Sequence, residues 1–132
     1  MKKLFTLLAL TISFSMNAQI STDGTNNTGI AASAIGYNTT ASGDYSTAMG
    51  AYTEASGNFS TAMGIVSIAS GLYSTAIGGD TAAIGDYSIS SGIQTSATGW
   101  ASTSMGDLSI SSGMVSTAIG SETKALGDFS TA

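Results

Sequence analysis

Small, apolar and polar residues recur along this chain with a period of seven. Gly stands at 29, 36, 43, 50, 57, 64, 71, 78, 85, 92, 99, 106, 113, 120 and 127 without a slip. Three residues after each Gly comes Ser or Thr, with Ala32 the exception, and five after it comes Ala or Ser. The unit reads Gly-x-x-[Ser/Thr]-x-[Ala/Ser]-x. A coiled coil is excluded, because each Gly costs a helix roughly 1 kcal/mol and the paired apolar positions of a heptad seam are missing. Collagen is excluded, because its Gly returns every third residue and Pro is abundant, whereas this chain has no Pro. What remains is a short strand closed by a Gly-containing turn, repeated. Residues two apart in a strand face the same side, so Ser/Thr and Ala line a common interior. An interior of such small side chains lets two strands lie close together, which predicts a narrow β-solenoid.

The last residue of each heptad doubles the period to fourteen. In one alternating set it is Ile35, Met49, Met63, Ile77, Ser91, Met105 and Ile119; in the other it is Ser42, Ser56, Ser70, Ile84, Thr98, Ser112 and Leu126. One coil is therefore fourteen residues with two short strands of different character. Both columns point outward, one mostly Ile and Met, the other mostly Ser and Thr. Two residues before the apolar column run Thr47, Thr61, Thr75, Thr103, Thr117 and Thr131, interrupted by Ile89. Stacked coils place equivalent residues ~4.8 Å apart, so the repeats predict a rod of roughly 35 Å. Tyr45, Phe59, Tyr73, Tyr87 and Phe129 follow one set of turns and are expected to stack and rigidify that corner. Gly43, Gly57, Gly71, Gly85, Gly99, Gly113 and Gly127 are expected to supply special backbone angles or close inter-coil approach. An apolar stripe of Ile35, Met49, Met63, Ile77, Met105 and Ile119 marks an interaction surface, and closure around a three-fold axis would bury it.

The first residues depart from this pattern. Lys2 and Lys3 precede an apolar run from Leu4 to Phe14, and a small, polar stretch ends at Ala18-Gln19. That is the form of a secretory signal peptide, and the run is shorter than the ~20 residues that span a bilayer. The expected organisation is a leader over 1–18, a lead-in over 19–28 and the β-roll over 29–132. After removal of the leader, Lys124 would be the one basic side chain against eight acids.

Composition narrows the chemistry. There is no Cys, so no disulfide framework, thiol nucleophile or zinc-thiolate site, and no His, the usual neutral-pH general base and commonest metal ligand. Only 8% of residues are charged, with a net charge of −5, the wrong sign for a nucleic-acid partner. Asp44, Asp86, Asp107 and Asp128 directly follow repeat glycines, where Asp can bond its own backbone in a turn. No calcium-binding Gly-Gly-x-Gly-x-Asp repeat is present. Lys124 lies on an outward strand position, away from a Ser it could activate. The reading is a protein without catalysis, cofactor or metal. Asn26-Asn27-Thr28, Asn38-Thr39-Thr40 and Asn58-Phe59-Ser60 match the glycosylation triplet, a pattern frequent by chance in a Ser/Thr-rich chain.

Segments such as Ala41-Ser42-Gly43-Asp44-Tyr45-Ser46-Thr47-Ala48-Met49-Gly50, 55–64 and 69–78 resemble the YadA-type head repeats of trimeric autotransporter adhesins, over residues 29–132. The resemblance implies a left-handed parallel β-roll, a homotrimer, and display on the surface or outer membrane of a Gram-negative bacterium. There such heads bind host matrix, cells or each other. It carries over no single ligand-binding residue. Ser90, Ser91, Thr98 and Trp100-Ala101 depart from the repeat and predict looser middle coils. The chain ends at Asp128-Phe129-Ser130-Thr131-Ala132, where an Ile/Met-Gly step should follow, as in a fragment of a longer protein whose membrane anchor lies downstream. Two other functions fit a solenoid: an ice-binding array built on the Thr column, and a trimeric fibre segment of a phage-tail-like or other exported protein.

Overall fold

The computed structural model describes residues 23–132. The expected leader and the beginning of the lead-in fall outside the described residues. Every strand belongs to one of two parallel sheets, and no helix occurs among the described residues. The first sheet stacks eight two-residue strands: β1 (Asn26–Asn27), β3 (Thr40–Ala41), β5 (Glu54–Ala55), β7 (Ile68–Ala69), β9 (Ala82–Ala83), β11 (Ser96–Ala97), β13 (Ile110–Ser111) and β15 (Lys124–Ala125). The second stacks seven five-residue strands: β2 (Ser33–Tyr37), β4 (Thr47–Ala51), β6 (Thr61–Ile65), β8 (Thr75–Gly79), β10 (Ile89–Ile93), β12 (Thr103–Asp107) and β14 (Thr117–Ser121). The chain alternates between the sheets, and each strand pairs with the one fourteen residues on, Thr47 with Thr61 and Met49 with Met63. This is a parallel β-solenoid of fourteen-residue coils with two short strands per coil, as the period predicts. The two strands differ in length, which the period alone does not reveal.

The interior is as small as the repeat implies. Ala41, Ala48, Ala55, Ala62 and their equivalents are fully buried, and the largest fully buried side chain is threonine. Ser46 and Ser116 donate from their hydroxyls to the carbonyls of Gly43 and Gly113, both at 2.6 Å. Thr53, Thr81, Ser60 and Ser74 have buried hydroxyl oxygens without a partner, each at a cost of about 1–3 kcal/mol. The roll thus has little apolar surface inside and a polar penalty beside it.

The glycines divide into two kinds, where the sequence suggested one. Gly50, Gly64 and their equivalents are the fourth residue of the long strands, not part of a turn, with φ of +128° and +116°. The other set, Gly43 through Gly127, sits in the bends entering the opposite corner. Its members lack positive φ. A Cβ on Gly57 would overlap the carbonyl oxygen of Gly71 in the next coil, so close approach is the constraint there. The left-handed residue at that corner comes two positions later. Tyr45 has φ 57° and Phe59 58°, and the facing corner repeats the feature at Tyr52, 56°, and Val66, 55°. A left-handed L-residue costs roughly 1–2 kcal/mol, and a β-branched one such as Val66 is a genuine outlier. Inter-coil hydrogen bonds hold these corners: the Tyr45 N–H donates to Ile30 O at 2.7 Å and the Tyr52 N–H to Tyr37 O at 2.9 Å.

The middle coils are not looser in their pairing. β10 matches all five residues with both β8 and β12. Ser90, standing where every other coil but that of Ser104 has Ala, is buried and shares a 2.8 Å hydrogen bond between its hydroxyl and that of Thr95.

Candidate functional site

Alternation along the long strands builds a flat outer face. Ala48 points in, so Thr47, Met49 and Ala51 point out. Parallel register then extends each into a straight column. The central column holds Ile35, Met49, Met63, Ile77, Ser91, Met105 and Ile119 on successive strands. Ile35 and Met63 are half-buried, while Met49, Ile77, Met105 and Ile119 are exposed. The structure therefore brings all six proposed interface residues onto one stripe of one face.

Two further columns flank it. The first outward position carries Ser33, Thr47, Thr61, Thr75, Ile89, Thr103 and Thr117; the last carries Tyr37, Ala51, Ile65, Gly79, Ile93, Asp107 and Ser121. The last column escaped the sequence reading. Its signal was the residue after each strand glycine, whose outward direction depends on the strand running on past that glycine. Ile65 and Ile93 there are 60% and 59% exposed. The three columns span about 13 Å by 29 Å at ordinary strand spacings, on the order of 400 Å² of face.

The opposite, short sheet turns Ser42, Ser56, Ser70, Ile84, Thr98, Ser112 and Leu126 outward, beside the first-position residues Thr40, Glu54, Ile68, Ala82, Ser96, Ile110 and Lys124. It is more polar, with Ile68, Ile84 and Leu126 as its exposed apolar members.

The aromatic corner stacks in part. Tyr45 and Phe59 lie 5.0 Å apart at 6°, Phe59 and Tyr73 4.7 Å apart at 9°, and Tyr73 and Tyr87 5.4 Å apart at 14°. Trp100 then meets Tyr87 edge-on at 5.8 Å. Phe129 does not join the stack, because Ala101 and Val115 occupy the intervening corners. Stacking covers the ring faces and leaves edges to solvent.

The acids act across coils rather than on their own backbone. The Asp44 carboxylate accepts from the Ile30 N–H at 2.9 Å, Asp86 from Leu72 N–H at 2.9 Å, and Asp128 from Met114 N–H at 2.8 Å. Asn58 does the same for Asp44 N–H at 3.0 Å. Asp107 is not a turn residue; it ends β12 on the outer face. Among the described residues no three of Asp, Glu, Cys or His gather as a metal site. Lys124 is exposed on β15.

No curated protein matches the chain. A family model described as the YadA head domain repeat matches residues 28–53, 55–81 and 111–132, more than half of the chain. The unmatched stretch between 81 and 111 contains Ser90, Ser91, Thr98 and Trp100, yet the coil register runs through it unbroken. With the solenoid and its repeating face, this match places the chain in the YadA head repeat family.

Proposed function

We propose that the chain is the head of a surface-displayed adhesin, exported by its N-terminal leader. It works as a homotrimer without catalysis, metal or cofactor, and binds host matrix, cells or other heads. The observation that carries this reading is the straight Ile/Met stripe on the long sheet of a family-member solenoid. A roll filled with Ala, Ser and Thr gains little from its interior. Its largest apolar asset is on the outside, where six side chains offer on the order of 9–18 kcal/mol per chain if fully buried, an upper bound. Three-fold closure buries that stripe on every copy and leaves no free copy of it. The polar short sheet and the aromatic corner then face outward as the ligand-presenting surface.

The ice-binding reading draws on one observation, the in-register Thr column. Trimer closure would bury that column, so the two readings exclude each other. Sedimentation equilibrium of the full chain should give three times the chain mass. Beads coated with it should adhere to matrix-coated surfaces or cells, or agglutinate one another. A well-folded monomer with thermal hysteresis overturns the proposal in favour of ice binding; a trimer that neither adheres nor agglutinates favours the fibre segment.

A further inference from the structure

Methionine is concentrated on the face that the trimer would close. Of the methionines among the described residues, Met49, Met63 and Met105 stand in the central column of the long sheet, and Met114 stands at a corner outside its three columns. Met49 and Met63 lie in register on adjacent strands, with Ile35 before them and Ile77 after. The roll itself does not call for a thioether at these positions. They point away from the interior, and Ile35, Ile77 and Ile119 fill the same column on strands of the same kind.

A thioether packs much as Ile does but differs from it in one reaction: its sulfur takes up oxygen. The chain contains no Cys, so its thioethers are the side chains a peroxide oxidises first. Susceptibility follows exposure. In the single roll Met49 is 40% exposed and Met105 39%, with Met63 half-buried beside Met49. Closure about a three-fold axis sets each residue of the central column against its own two copies at the same height. Each of these sulfurs is then shut away from solvent among thioethers. The same atoms are open to oxidant before assembly and closed to it afterwards.

We propose that Met49, Met63 and Met105 are oxidation sites, and that their conversion to sulfoxides by a peroxide holds the chain in the unassembled state. The sulfur lone pair attacks one peroxide oxygen, the O–O bond breaks as the S–O bond forms, and water leaves. Sulfur is oxidised by two electrons and the peroxide is reduced by two. The product is a polar, chiral side chain in place of a flexible apolar one. Met49 and Met63 have only Ile and Met as neighbours in their column, so a sulfoxide oxygen buried there finds no donor within it, and burial of an unpaired polar group is disfavoured. The inference rests on the trimer proposed above.

The test uses the full chain. Unfolded in guanidinium, it is oxidised with dilute hydrogen peroxide, checked by peptide mass mapping, freed of both reagents and refolded. Untreated parent taken through the same steps should sediment as a trimer. Oxidised parent should lose the trimer, and methionine sulfoxide reductases specific for the two epimers should restore it. A variant carrying Met49→Ile, Met63→Ile and Met105→Ile uses residues the column already holds and retains Met114, so it should stay trimeric after the same oxidation. Peroxide added to the assembled parent should oxidise Met114, 40% exposed, and spare the three column residues. An oxidised parent that still forms trimers, or an oxidised triple variant that does not, overturns the switch and leaves the trimer standing. An untreated parent that is monomeric overturns the trimer, and the switch with it.

Discussion

The inside of this roll and the outer face of its long sheet reverse the usual distribution of side chains. Inside, nothing larger than threonine is fully buried, and several hydroxyls there lack partners. Outside, Met49, Ile65, Ile77, Ile93, Met105 and Ile119 stand exposed on one face. The interior is built for close backbone approach, which needs small side chains. The face is built for apolar burial, which needs large ones. A chain so divided has its architecture specified within one copy, and in the proposed trimer its stability is invested between copies.

The strongest way to break this division is to charge the face. Met63→Asp with Ile77→Asp should abolish the trimer and unfold the chain, since burial of those two side chains contributes about 3–6 kcal/mol per chain. Ser56→Asp with Ser70→Asp, on the short sheet, should leave both mass and melting temperature unchanged. Sedimentation equilibrium and circular dichroism read both outcomes.

Attacking the interior tests its close approach. A Cβ on Gly71 would overlap the carbonyl oxygen of Gly85, so Gly71→Val should cost about 3 kcal/mol by overpacking. Gly79→Ala has open space and should stay within about 0.5 kcal/mol. Equal denaturant midpoints for the two would contradict the register given to the corner glycines.

The aromatic corner lies between inside and outside and should respond less. Phe59 stacks on both Tyr45 and Tyr73, so Phe59→Ala should cost about 1–2 kcal/mol. Phe129→Ala, outside the stack and 71% exposed, should change the thermal midpoint very little. Smaller than the Phe59 effect is that of the inter-coil carboxylate: Asp86→Ala removes the acceptor for Leu72 N–H and should cost about 1 kcal/mol. Asp86→Asn should restore most of that, because Asn58 already accepts from Asp44 N–H through its amide oxygen. Guanidinium titrations separate the three variants.

What was legible in the sequence follows from what repeats. The spacing of Gly, Ser/Thr and Ala defined the interior, because a pleated strand converts a two-residue offset into a shared side, and the alternating last residue of the heptad defined the fourteen-residue coil and its two outward columns. The six stripe residues were readable for the same reason. The left-handed corners were not, because their occupants share no chemistry: Tyr45, Tyr52, Val66, Asp80, Gln94 and Glu122 all adopt positive φ. Inter-coil hydrogen bonding imposes that conformation, with no help from residue preference. The column of Ile65 and Ile93 was missed because Gly64 and Gly92 looked like turns, and strands were expected to stop before them. The partners of Asp44 and Asp86 are fourteen residues away, and local turn rules address the residue's own neighbourhood only.

The identity of every coil's register with the next has an evolutionary consequence. A duplication or deletion of fourteen residues adds or removes one storey, keeps every column vertical and requires no new packing. A change of seven residues would exchange the two kinds of strand, sending the apolar stripe to the opposite side of the rod partway along its length. Recombination between copies can therefore lengthen or shorten such a head freely in steps of a whole coil, while half-steps sever the apolar seam on which the proposed assembly rests.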